Sequence, residues 1–197
     1  MHPNLRRAYR LEYLTIGWNS AEAMIALVAG FLAGSVALIG FGLDSIIEVF
    51  AASIVLWHIR GEVSEDRERR ALRLIAVSFY ALAAYVTIES SRDLIATARP
   101  SESIPGIVLT VLSLLVMGFL ARAKHRVGHQ IGSLPLIADS KETLLCTYLS
   151  AVVLVGLALN AAFGWWWADP LAGFGIAFLA IREAREAWTG EHAEHGG

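Results

Sequence analysis

The sequence predicts an all-α fold: a bundle of six membrane-spanning helices with both termini on the cytoplasmic side. Three observations carry that expectation. Of the 197 residues, 56% are hydrophobic and only 17% are charged, with a mean hydropathy of +0.55. A soluble domain carries about a quarter charged residues. The apolar residues gather into six long runs, and Arg and Lys crowd into alternate connections between them.

The runs cover roughly 11–32, 35–59, 71–96, 104–123, 133–160 and 168–187. Each holds about 20 or more mainly apolar residues, enough to cross a hydrocarbon core about 30 Å thick. The first two are joined by a tight link, "GSVA" at 34–37. A charged loop, "GEVSEDRERR" at 61–70, precedes the third, and a Pro/Ser turn, "ARPSESIPG" at 98–106, precedes the fourth. "HRVGHQIGS" at 125–133 reads as a polar loop before the fifth. Asp169 before Pro170 reads as the cap of the sixth, since Asp accepts from free N–H groups and Pro suits a first turn. Trp165, Trp166 and Trp167 read as interface anchors. The organisation expected is one transmembrane domain over 1–190 and a short polar tail over 191–197 that carries His192 and His195.

Orientation follows from the basic residues. Arg6, Arg7 and Arg10 precede the first run. Arg60, Arg67, Arg69, Arg70 and Arg73 flank the loop after the second. Arg122, Lys124 and Arg126 follow the fourth, and Arg182 and Arg185 close the sixth. The opposite side has only Arg92 and Arg99. The positive-inside rule puts the first set, and both termini, in the cytoplasm. A net charge of -2 argues against a nucleic-acid partner, which demands a basic face. Cys146 is the sole cysteine, so no internal disulfide forms. No signal peptide is expected, because the first apolar run is too long for one.

Ionisable groups deep in a span are costly and usually functional. The candidates are Glu22, Asp44, Glu48, Asp139, Lys141 and Glu142, with Cys146 as a polarisable neighbour. Asp44 and Glu48 stand four apart, one helical turn, on one face; Glu142 and Cys146 repeat the spacing. Asp44 lies roughly 13 Å inside one edge of its run, and Glu142 roughly 13 Å inside the opposite edge of its own. Both therefore fall near the midplane. Two such pairs can give four ligands to one divalent cation, which would offset the repulsion between carboxylates. Without metal some of these acids should hold protons, and metal entry would expel them. The plainer alternative is polar glue between helices, with Lys141 neutralising Asp139 or Glu142.

The residues carry a family likeness. "GSVALIGFGLDSIIE" resembles the second helix of cation diffusion facilitators, with Ser35, Ala37 and Leu38 matching and Asp44 and Glu48 on the ligand positions. "ADSKETLLCTYLS" resembles the fifth helix, with Ala138 and Asp139 matching, Glu142 and Cys146 on the ligand positions and Ser150 as the trailing serine. "VTIESSRDL" and "WWADPLAG" look like the family's third-helix end and sixth-helix start. The family's commoner zinc site mixes His and Asp, whereas this one would be Asp, Glu, Glu and Cys. The resemblance implies a homodimeric exporter of divalent metal in the plasma (inner) membrane, driven by protons, in a short form without the family's cytoplasmic domain. The metal would be the cargo, and no resident cofactor is expected.

Cys146 draws the site toward zinc or cadmium, and the carboxylates draw it toward manganese or iron(II). Zinc is the first expectation on family frequency; iron(II), manganese and cobalt are the alternatives. Glu22 and Asn19 would support the ligands from behind or relay protons, or else make an ordinary polar helix contact. Asp139 would hold an entry path or pair with Lys141. His125 and His129 are weaker metal candidates in a loop. Glu89 would reach interfacial water or Arg92. A membrane protein that senses or scaffolds metal without moving it is the alternative of another class. No enzyme is expected: no nucleophile has a base at supporting spacing, and no HExxH signature occurs.

Overall fold

The computed structural model describes residues 3–59 and 65–189. The tail at 191–197 with His192 and His195, the residues 61–64 and Arg60 lie outside the described residues. Six helices follow in order: α1 Pro3–Ala33, α2 Val36–Ile59, α3 Glu65–Ala96, α4 Ile104–Ile131, α5 Leu134–Phe163 and α6 Ala168–Thr189. No strand occurs among the described residues. Five helices, α1 to α5, are long and apolar enough to cross a membrane. α6 is not among them; Arg182, Glu183, Arg185 and Glu186 crowd its last turns.

The structure corrects two connections. The charged stretch expected as a loop over 61–70 is helical from Glu65 onward, where α3 begins. The polar stretch expected as a loop over 125–133 is mostly helix, because α4 runs on to Ile131. Nothing in "HRVGHQI" breaks a helix. The stop comes at Gly132, whose φ of 64° is the left-handed conformation that glycine adopts without a Cβ clash. Ser133 then caps α5 by accepting from the Leu136 N–H, so the link from α4 to α5 is two residues long.

Glycines set how closely the helices approach. A Cβ on Gly30 would fall 2.9 Å from the backbone N of Ile39, and one on Gly42 would fall 2.9 Å from Leu27 Cγ. These two positions let α1 lie directly against α2. Gly128 does the same for α4 and α5, where a Cβ would meet Ile137 Cγ1 at 2.7 Å. Connections tie one end of the bundle. Ser101 N–H donates to Ala33 O at 2.8 Å, and Asn160 Nδ2 donates to Pro100 O at 3.0 Å. That end holds the α1–α2 turn, the α3–α4 connection, the end of α5 and the start of α6.

Asp169 differs from its expected role. It stands inside the first turn of α6 and accepts from Ser35 Oγ and, at 3.4 Å, from Ala37 N–H. It therefore serves the free N–H groups at the start of α2, which Ser35 also caps through Leu38 N–H at 3.1 Å. Large apolar side chains face outward, with Leu32 82% and Ile95 86% exposed, while Asn19, Glu22, Ser45, Thr110, Ser113 and Ser150 are buried. An apolar exterior around a partly polar interior suits lipid.

Candidate metal centre

α2 and α5 bring together three of the side chains singled out by spacing. One ligating atom each from Asp44, Glu48 and Cys146 lie within 4.8 Å of one another, and all three residues are buried. The i, i+4 spacing puts both acids on the same stripe of α2, and Cys146 approaches from α5. The thiol is the side-chain neighbour of both carboxylates. Asp44 Oδ2 accepts no hydrogen bond. A buried carboxylate oxygen without a donor is costly, and it is suited to a cation.

Glu142 is placed otherwise. It sits one turn before Cys146 on α5, half-buried, and stands outside that close group. It lies in the field of Asp44 and of Glu183 on α6. Glu183 was not singled out in the sequence, where it reads as one of four charges closing α6. Its buried position, with Oε1 accepting no hydrogen bond, adds an acid to this side of the centre.

The α1 residues stand directly behind the ligands. Asn19 Nδ2 donates to Glu48 Oε2 at 3.1 Å and to Thr15 O at 3.0 Å. Glu22 accepts from Ser45 Oγ at 2.9 Å and from the Trp18 indole N–H. Behind Cys146, the Ser150 hydroxyl donates to the Cys146 carbonyl at 2.9 Å and meets Ser113 Oγ at 3.1 Å.

Asp139 pairs with a lysine, but not with Lys141. Lys141 is exposed, and Asp139 meets the Lys124 ammonium of α4. Residues two apart on a helix do not face each other, so Asp139 and Lys141 were poor partners from the outset. Lys124 also lies 3.3 Å from Glu12 Oε2 of α1. Glu12 gave little signal: it is a lone acid at the edge of the first run. His125 and His129 lie on α4 with ring centroids 4.5 Å apart, and His125 Nδ1 is 3.4 Å from Ser140 Oγ. Neither belongs to a close group of three ligating side chains among the described residues. Glu89 forms an ion pair with Arg92 at 2.8 Å.

The helical bundle with an apolar outside and an acid–thiol cluster inside defines an integral, multi-pass membrane protein. A family description, the cation efflux transmembrane domain, matches residues 73–188, more than half of the chain. The chain belongs to that family, the cation diffusion facilitators. It is 26% identical to an uncharacterized transporter of Synechocystis over 98% of its own length and 63% of the relative's. It is 27% identical to transmembrane protein 163 of Xenopus laevis over 74% of its length and 54% of the relative's. It is 25% identical to an uncharacterized transporter of Methanocaldococcus jannaschii over 91% and 67%. The chain thus spans about three fifths of the length of the first two relatives.

Proposed function

We propose that the chain moves a divalent metal cation out of the cytoplasm in exchange for protons, with zinc the first candidate and cadmium next. The observation that carries this reading is the convergence of Asp44, Glu48 and Cys146 within 4.8 Å at a buried position between two helices. Membership of the cation efflux family and the transporter names of two relatives support it. Asp44, Glu48 and Cys146 hold the ion, and Glu142, one turn away, is the fourth ligand. Asn19 keeps Glu48 oriented toward the ion. Glu22 holds the adjacent stretch of α2 through Ser45.

The mechanism follows from charge. Two or three carboxylates and a thiol cannot all be ionised side by side in a low-dielectric interior without a cation. Protons occupy them when metal is absent, and the metal displaces those protons. Rocking of helices about this midplane position would expose the site to each side in turn. The arginine-rich end, which carries Arg7, Arg10, Arg122 and Arg126, faces the cytoplasm by the positive-inside rule, in a plasma (inner) membrane. A homodimer is the expected assembly. The ion is cargo, and no catalytic chemistry is assigned.

Proteoliposomes loaded with a metal-sensitive dye provide the test. Zinc uptake should respond to an imposed pH gradient, and Glu142→Gln and Asp44→Asn should abolish it. Zinc binding without flux would replace the transporter by a metal-holding scaffold. Undiminished flux in both variants would remove the proposed site.

A further inference from the structure

The chain has two lysines, and the fold treats them oppositely: Lys141 is exposed, whereas the Lys124 side chain is fully enclosed. The Lys124 ammonium lies between carboxylates from two other helices, Glu12 of α1 at 3.3 Å and Asp139 of α5, and 3.3 Å from Thr143 Oγ1. Two acids flank one ammonium, so the lysine alone cannot balance both of them when they are ionised. Glu12 is entirely buried, and neither of its carboxylate oxygens accepts a hydrogen bond. A buried charge needs both a partner and hydrogen bonds. The pocket therefore holds more carboxylate than its own lysine can neutralise.

Its place along the bundle gives this excess a direction. Glu12 stands seven residues before Asn19, which reaches Glu48, and Asp139 stands seven before Cys146. Seven residues are about two turns, or roughly 10 Å. The cluster thus lies at one level, displaced from the metal centre toward the end where Arg7, Arg10, Arg122 and Arg126 line a cavity between α1 and α4. A cation approaching from that basic end is repelled until it meets these two acids.

We propose that Glu12, Asp139 and Thr143 form a second divalent-cation site, an entry station two turns before the Asp44–Glu48–Cys146 centre, with the Lys124 ammonium as its displaceable resident. This rests on the transport reading. Carboxylate and hydroxyl oxygens are suitable donors for a divalent ion. A divalent cation, unlike the ammonium, balances both carboxylates in their ionised form. Lys124 lies two turns from the end of α4 at Ile131, so its flexible stem can carry the ammonium out to the headgroup region.

The presence of only two lysines makes the exchange measurable without mutation. Purified protein is treated with a small amine-reactive acylating reagent, with and without saturating zinc, and modification of Lys124 and Lys141 is read by mass spectrometry. Zinc should raise Lys124 modification about tenfold, a coupling of ordinary size, and leave Lys141 unchanged. The rise should persist in Asp44→Asn, because the entry station does not use Asp44, and should disappear in Glu12→Gln. Lys124 modification that zinc leaves unchanged, or that zinc raises in wild type but not in Asp44→Asn, overturns the proposal; the cluster is then a fixed structural ion triad. Failure of the metal-centre assignment shows separately, as zinc binding that Asp44→Asn does not reduce.

Discussion

Asn19 of α1 donates its side-chain amide to Glu48 Oε2 of α2 at 3.1 Å, both side chains buried. The bond fixes which carboxylate oxygen of Glu48 remains for other partners. Groups that orient a ligand from behind typically contribute about 10–100-fold to metal affinity. Asn19→Ala should therefore weaken zinc binding by about tenfold or more. Titration calorimetry on the purified protein checks this.

Metal binding should weaken as pH falls. Carboxylates and thiols ligate only when deprotonated, so lower pH favours the proton over the metal at Asp44, Glu48 and Cys146. Binding should release at least one proton per ion. Calorimetry in two buffers of different ionisation enthalpy gives the count, and a count of zero at neutral pH would contradict the exchange mechanism.

Cys146→Ser should shift metal preference. A thiolate favours zinc and cadmium, and a hydroxyl beside two carboxylates favours manganese. Competition binding should show the cadmium-to-manganese affinity ratio falling. An unchanged ratio would mean that the sulfur does not touch the ion.

Lys124→Met should cost about 3–5 kcal/mol, because it leaves Glu12 and Asp139 as buried acids without their counter-ion. Lys124→Met combined with Glu12→Leu and Asp139→Leu should recover much of the loss. Unfolding midpoints of metal-free protein in detergent compare the two.

Two glycines should respond differently to alanine. Gly30→Ala places a Cβ 2.9 Å from the Ile39 backbone N and forces α1 away from α2; overpacking of this kind costs about 1–3 kcal/mol. Gly17→Ala meets nothing within 4 Å and should be neutral or slightly stabilising, by roughly 0.5–1 kcal/mol. The same unfolding assay separates them.

The helices were legible where hydropathy alone decides. α2 is expected over 35–59 and runs Val36–Ile59, whereas α6, expected as a span over 168–187, runs Ala168–Thr189 but is not among the helices apolar enough to cross a membrane. α4 was cut short because hydropathy marks where lipid ends, whereas a helix stops where the backbone is told to stop, here at Gly132. The i, i+4 spacing pointed to Asp44, Glu48 and Cys146, which the fold brings together. Depth arithmetic placed Glu142 at the same level, but depth says nothing of which way a side chain points around its helix. In the sequence Lys124 reads as one of the interfacial charges; only packing with Glu12 and Asp139 shows it buried. Glu183 was hidden in the same way among the charges that end α6.

The close seams at Gly30 and Gly42 weld α1 and α2 into one wedge, and the seam at Gly128 welds α4 and α5 into another. Asp44 and Glu48 ride on the first wedge and Cys146 on the second. The Lys124 ammonium of the second wedge also reaches Glu12 of the first. An ion held by all three side chains, as proposed, would be a further tie between the wedges.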